Sequence, residues 1–291
     1  MFSLLEVLGD ELKTKITIVD VGAASLGEGT DPYDALLQPG RFHVIGFEPV
    51  EEQCELLKLL FPKDHTFLPY FIADGSTRTF HFCSNSYTSS LYEPYSELLN
   101  KFQHLEPGIR VNDTLEVETR CLDDIEEISD IDFLKLDVQG AELDVIKGAS
   151  RLLESTLVVH TEVEFIPLYR NQPLFGDIDV ALRSHNFLIH KFMGIAGRQM
   201  KPFIVNGDPF APLSQILYAE AAVYVKNFME FEALTADKLL RLATILHEVY
   251  GSYDLCALAL DHYDLKKGTS LNQAYIHRLR TLNPADEEAS T

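Results

Sequence analysis

The stretch IDFLKLDVQGAELDVIKGA, residues 131–149, decides the fold. Ile131, Phe133, Leu134, Leu136 and Val138 make an apolar run that reads as a buried strand. The run closes in Asp137-Val138-Gln139-Gly140, after which Leu143, Ile146 and Ala149 recur at helical spacing. An acid ends a strand, a glycine turns the chain and a helix leaves. Ligands of open α/β sheets sit outside the carboxyl ends of the strands, so this turn is expected to face a crevice.

Working outward, ITIVDVGAA (16–24), HVIGFEP (43–49) and HTFLPYFIAD (65–74) read as three earlier strands. They end in a glycine turn, in Glu48 and in Asp74. Helices are expected over 2–13, from Pro32 to about Gln38, over 51–61 and over 94–104, with a hairpin extension at 76–83 and β alternation at 115–125. TLVVHTEVEF (156–165) predicts a fifth strand, followed by a helix over 176–185 and the strand FLIHKFMG (187–194). A Pro- and Gly-rich loop (197–212) then leads to ILYAEAAVYVK (216–226), expected as the strand that completes the sheet. The fold class is therefore α/β, a mostly parallel, doubly wound, Rossmann-like sheet. From residue 227 the pattern turns helical, so the chain divides into a domain of 1–226 and a C-terminal helical extension of 227–291, frayed over its last nine residues, NPADEEAST.

Composition narrows the classes of function. With 46% hydrophobic and 24% charged residues in 291, a real core is expected. A formal charge of −21 argues against a nucleic-acid backbone or an anionic membrane surface, unless a local basic patch overrides the mean. No basic run stands out in the sequence. Cys54, Cys83, Cys121 and Cys256 form no C-x-x-C pair, the first residues lack a basic signal-peptide segment, and no apolar segment is long enough to span a bilayer. A soluble, reduced, cytoplasmic protein is the expectation.

Asp20-Val21-Gly22-Ala23-Ala24 lets backbone approach a ligand closely, and Glu48, with Pro49 beside it, can accept hydrogen bonds from two ribose hydroxyls. Ala73-Asp74 ends the next strand in the same way. These features suit an adenosine-containing cofactor, but the G-x-G-x-x-G dinucleotide fingerprint and the P-loop are both absent. Strand alternation sets Lys135 and Asp137 on one face, and Val158, His160, Glu162 and Glu164 on another. If those strands are neighbours, Asp137, His160 and Glu162 converge at the crevice. The alternative is a partly buried ion network in which Lys135 neutralises carboxylates. His81, His185, His190 and His247 read as structural or surface residues.

DFLKLDVQGAELDVIKGA (132–149) resembles the core motif of the FkbM-type S-adenosylmethionine-dependent methyltransferases. IVDVGAA, GFEP (46–49), IADG (72–75), SYTSSLY (86–92), TRCLDDI (119–125) and EVEFIPLY (162–169) follow the family's order, so the resemblance covers roughly residues 16–193. It implies a class I methyltransferase with S-adenosylmethionine as cofactor. Asp20 and Gly22 to Ala24 would flank the methionine part, Glu48 the ribose and Ala73-Asp74 the adenine, with Asp137 near the sulfonium and the acceptor. The sequence departs from the family pattern in A-A-S-L-G, where a shorter N-x-G is usual, and in Gln139, where Glu is common.

Methyl transfer to a hydroxyl needs alignment, exclusion of water and removal of a proton. Asp137 or His160 is the expected base, with Glu162 orienting. No metal site is assigned, although Asp137, Glu162 and Glu164 carry oxygens that would suit Mg²⁺. Ser89, Ser90, Tyr169 and Gln172 lie in polar, aromatic stretches that suit a sugar-like acceptor. The main expectation is an O-methyltransferase acting on a small-molecule hydroxyl, of a sugar, a glycan or a natural-product scaffold. The alternatives are a non-catalytic assembly module on the same fold and a nucleotide-sugar or NAD-dependent enzyme. The helical tail is expected to pack on the sheet domain or to make a homodimer.

Overall fold

Apolar runs become central strands, and amphipathic stretches become the helices that cover them. The computed structural model describes residues 2–9, 11–23, 31–38, 40–61, 63–208 and 215–282. The stretch 24–30 after the first glycine turn and the tail at 283–291, expected to fray, lie outside the described residues.

In chain order the strands are β1 (Ile16–Val21), β2 (Phe42–Phe47), β3 (His65–Leu68), β4 (Phe71–Ile72), β5 (Thr77–Cys83), β6 (Val111–Arg120), β7 (Phe133–Leu136), β8 (Val158–Glu164), β9 (Phe187–Arg198) and β10 (Gln215–Lys226). The helices are α1 (Leu5–Leu8), α2 (Glu51–Leu60), α3 (Ser96–Leu99), α4 (Glu142–Lys147), α5 (Ser150–Ser155), α6 (Phe175–Ser184), α7 (Ala236–Glu248), α8 (Tyr253–Lys267) and α9 (Leu271–Leu282). The main sheet runs β3-β2-β1-β7-β8-β10-β9, and β4-β6-β5 form a smaller one. β7 lies parallel to both β1 and β8, and β2 lies parallel to β3. β10 enters antiparallel between β8 and β9, so it completes the sheet from within and β9 forms the edge.

Every residue of β7 is buried, as both faces of a covered parallel strand must be. One face of the sheet, with Val19, Val21, Leu134, Leu136 and Val159, packs against Val145 and Ile146 of α4, Leu152 and Leu153 of α5, and Ile178 and Leu182 of α6.

Several elements differ from expectation. The strand expected over 65–74 is two, β3 and β4, because Pro69 has no N–H for the ladder, and the second piece pairs with β6 instead. The helix expected over 94–104 is confined to α3, since the following backbone turns away: Gln103 N donates to Gln199 O and Lys201 N to Lys101 O. The first helix is the single turn α1, ended at Gly9 with φ of +55°, and residues 34–36 make one 3₁₀ turn.

The chain divides into two compact units that do not follow chain order. One comprises Ile18–Ala24 and Val44–Lys226; the other gathers Met1–Thr17, Ser25–His43 and Asn227–Thr291. Within the second unit, Ser3 Oγ donates to Glu248 at 2.7 Å. Buried His247 lies 2.9 Å from both Phe2 O and the Tyr275 hydroxyl, the structural role expected of it. Thr235 caps α7 by accepting from Lys238 N. No helix among the described residues is long and apolar enough to cross a membrane.

Candidate functional site

The chain leaves β1 toward β2 and β3, then returns to add β7 and β8 on the other side. The reversal puts a topological switch point at the carboxyl ends of β1 and β7, where doubly wound folds hold ligands. Here the two strand ends touch. Gly22 has φ of +93°, and a Cβ on it would lie 2.1 Å from Asp137 O, so only glycine fits. Asp137 N donates to Val21 O at 3.1 Å and Gly22 N to Phe47 O at 3.2 Å, which ties three strand ends together. Buried Ala23 lies against Gly46, where a Cβ would meet the Ala23 methyl at 3.1 Å and the Phe67 ring at 2.8 Å. Ala24 lies outside the described residues.

Glu48 ends β2 and is buried. Its Oε1 accepts from Val50 N at 2.8 Å, just ahead of α2, with Pro49 between them. Burial raises the Glu48 pKa above the ordinary value, and that backbone bond partly offsets the rise.

At the end of β7 the Asp137 side chain is exposed. Gln139 stands beside it with φ of +54°, a left-handed conformation that costs a residue with a Cβ about 1 kcal/mol. Its amide nitrogen bridges two acids, donating to Asp137 Oδ1 at 2.9 Å and to Glu162 Oε2 at 2.8 Å. Its carbonyl oxygen lies 3.2 Å from the Tyr169 hydroxyl, which is also 2.9 Å from Thr88 O. Ser90 Oγ donates to the Gln139 backbone carbonyl at 2.6 Å and accepts from Tyr92 N. Ser89 Oγ accepts from Cys83 N at 3.1 Å. Gln172 Oε1 accepts from the backbone of Leu168 and Tyr169, against Gly140. Ser90, Tyr169 and Gln172, all buried, touch the motif turn, whereas Ser89 bonds to β5 at Cys83.

One register step earlier, the same strands carry a different row. Asp20 pairs in register with Lys135, and Lys135 with His160. Lys135 Nζ donates to the fully buried Asp20 carboxylate at 2.9 Å. The ion network considered as an alternative is therefore present, but it neutralises Asp20 and not Asp137. His160 is buried near the Phe133 ring, and its pKa is pulled down to about 3 by burial and then by the Lys135 charge. Asp137 and Glu162 meet through Gln139; His160 lies in the row beneath them.

Acids around the crevice are held with little compensation. Glu142, buried in the first turn of α4, accepts from Val138 N at 2.9 Å and Gly140 N at 3.0 Å and so fixes the turn. Burial, reinforced by Asp137, raises its pKa to about 7. Glu162 and Glu164 rise well above the ordinary carboxylate value, through burial first and then their acidic neighbours. Asp144, also in α4, accepts from the Tyr92 hydroxyl at 2.7 Å and from Arg78 at 3.1 Å, joining α4 to β5. Ala73 is buried, while exposed Asp74 accepts from Ser76 N and Oγ, bonds that lower its pKa. Among the described residues, no three His, Cys, Asp or Glu side chains are grouped to hold a metal ion. Sequence reasoning missed Glu142, Asp144, Arg78 and Tyr92. For Glu142 the legible signal was an acid two residues after the turn glycine, placed to reach back to orphan N–H groups; the others depend on contacts between distant segments.

Comparison with known proteins adds the following. The sequence model of the Methyltransferase FkbM domain matches residues 20–189. The 2-O-methyltransferase NoeI of Sinorhizobium fredii (strain NBRC 101917 / NGR234) is 40% identical over 76 residues, which are 25% of this chain and 31% of that protein. The match thus spans about a third of that relative's length. Among solved structures, a candidate methyltransferase from Thermoplasma acidophilum aligns over 74% of this chain and 70% of its own, with 9% identity and a TM-score of 0.38. A SAM-dependent methyltransferase from Aquifex aeolicus aligns over 77% and 89%, with 11% identity and a TM-score of 0.32. Scores that low add nothing to the topology already described.

Proposed function

Because the chain belongs to the Methyltransferase FkbM domain family, we propose that it is an S-adenosylmethionine-dependent O-methyltransferase whose acceptor is a small-molecule hydroxyl of a sugar or natural-product scaffold. The observation that carries this reading is the acidic row at the switch point, with exposed Asp137 bridged to Glu162 by the Gln139 amide. The hydroxyl acceptor is further supported by the name of the relative, a 2-O-methyltransferase.

The residues present fit the cofactor. A crevice of carboxylates suits a sulfonium cation. The missing side chain at Gly22 leaves room for a close backbone approach, since any Cβ would strike Asp137 O. Glu48 would hold the ribose hydroxyls, with Ala23 and Ala24 flanking the methionine part and Pro49, Ala73 and Asp74 the nucleoside; fully buried Asp20, ion-paired to Lys135, supports this end of β1 from within. When bound, S-adenosylmethionine supplies an activated methyl group on a good leaving group.

Asp137 is the base we assign. Its carboxylate opens to the crevice, whereas His160 is buried, holds a proton only below about pH 3 and cannot reach an acceptor without rearrangement. Asp137 takes the hydroxyl proton, and the Gln139 amide fixes the carboxylate's orientation. Glu162 holds the other end of that amide. Ser89, Ser90, Tyr169 and Gln172 brace the rim where the acceptor enters, and water is kept out by the buried tyrosine and glutamine.

The test is release of S-adenosylhomocysteine across a panel of sugar and natural-product hydroxyls. Asp137→Asn is expected to lower turnover by about 10²–10⁴-fold, a much larger loss than any change in cofactor affinity. Unchanged turnover in that variant would remove the assignment.

A further inference from the structure

We propose that the outward face of α2 is an interface for a second copy of this chain, the two helices packing antiparallel about a two-fold axis. α2 buries Cys54 and Leu57. Its opposite side carries Leu56, Leu59 and Leu60, which recur at helical spacing and so form one stripe. They are 54%, 78% and 58% exposed. A single exposed leucine needs no explanation, but three adjoining ones on one short helix do. Leucine, lysine, glutamate and glutamine favour a helix almost equally, so helix formation does not call for leucine at these positions.

The fold accounts for the open side. α2 joins β2 to β3 and packs on β3. β3 ends the seven-stranded sheet, so among the described residues no further strand extends the layer there. The helix starts just after Glu48, whose carboxylate accepts from Val50 N at 2.8 Å. A partner on α2 therefore packs on the element that follows the candidate ribose acid.

The order of residues along the stripe selects a second copy. It begins at Glu52 and reaches Lys63 just past the last turn, both exposed. With the two-fold axis midway between Leu57 and Lys58, Leu56 of one copy opposes Leu59 of the other, and Glu52 opposes Lys63 at both ends. An apolar centre with an acid at one end and a cation at the other is self-complementary, as an isologous interface requires. Glu55 and Lys58, on the flank, pair within the helix at 2.7 Å and leave no net charge there. The formal charge of −21 opposes approach from afar, but beyond about 8 Å it is largely screened at physiological salt, so the contact face decides. Three leucines a side make a patch smaller than the roughly 800 Å² per partner of a standard interface, so the dimer is expected to be reversible.

The experiment is sedimentation velocity of the full chain at physiological salt across a dilution series. The expected result is a mass that rises from one copy to two with concentration. Leu59→Glu should weaken the association at least about tenfold. Glu52→Lys and Lys63→Glu should each weaken it about threefold, and the two together should restore it, because the swapped charges again oppose each other. Leu265→Asp, at an exposed leucine of the C-terminal helix α8, should dimerise like the parent. One-copy mass at every concentration up to about 1 mM would overturn the proposal. So would a dimer undiminished in Leu59→Glu, a dimer lost in Leu265→Asp, or a double swap weaker than either single one.

Discussion

β1, β7 and β8 carry two rows of polar residues in neighbouring registers, and the rows behave in opposite ways. Asp20, Lys135 and His160 are buried, and there the acid is matched by a cation at 2.9 Å. Asp137, Gln139 and Glu162, at the strand ends, form a chain of two acids joined by a neutral amide. Inside the sheet an uncompensated charge would cost several kcal/mol, so the lower row must be neutralised. At the crevice only exposed Asp137 is free to keep its charge for a ligand, while burial and its acidic neighbours push the Glu162 pKa well up. A shift of two residues along one strand separates a structural lysine from the base we assign.

Removing the Lys135 ammonium should break this contrast most severely. Lys135→Ala strands the Asp20 carboxylate and is expected to cost about 3–5 kcal/mol in urea unfolding, with Asp20→Asn in the same chain recovering a good part of it. Asp137→Asn, by contrast, should change stability by less than about 0.5 kcal/mol while turnover collapses. If both variants lost stability equally, the two rows would not differ in kind.

A smaller effect sharpens the contrast through pH. His160 has a folded pKa of about 3, below its usual 6.5, so its contribution to stability is complete above pH 6.5 and is lost as pH falls toward 3. Glu142, raised from 4.5 to about 7, works the other way: its contribution is complete below pH 4.5 and is lost as pH rises through 7. Between pH 4.5 and 6.5 the two oppose each other, each by at most about 1.4 kcal/mol per pH unit. Stability measured across that window should therefore fall more steeply with rising pH in His160→Gln than in the parent, and less steeply in Glu142→Gln. A change in the same direction in both would contradict these assignments.

Much of the fold was legible because its signals are local. The apolar runs at β1, β2, β7, β8 and β10 and the strand–turn–helix at Asp137 follow from periodicity and turn chemistry, but β9 and not β10 forms the sheet edge. The break between β3 and β4 was also written locally, at Pro69, but the run of apolar residues on either side of it read as one strand. The site was legible only by halves. Alternation put Asp137 and Glu162 on facing strands, yet the salt bridge that separates Lys135 from Asp137 needs the register of β1 on β7, 115 residues apart in sequence. The same holds for Asp144 with Arg78 and Tyr92, which come from three segments. Gln139 read as a lost carboxylate; its bridging amide appears only once its left-handed backbone is known.

Calorimetric titration with S-adenosylmethionine tests the crevice most directly, using Glu48→Gln as the variant and NAD⁺ as the control ligand. The glutamine keeps an oxygen for Val50 N–H but exchanges the second acceptor for an amide donor. Micromolar binding of S-adenosylmethionine, weakened by about tenfold or more in Glu48→Gln and absent for NAD⁺, is the predicted result. No binding to the parent protein, or equal binding to both proteins, would contradict it.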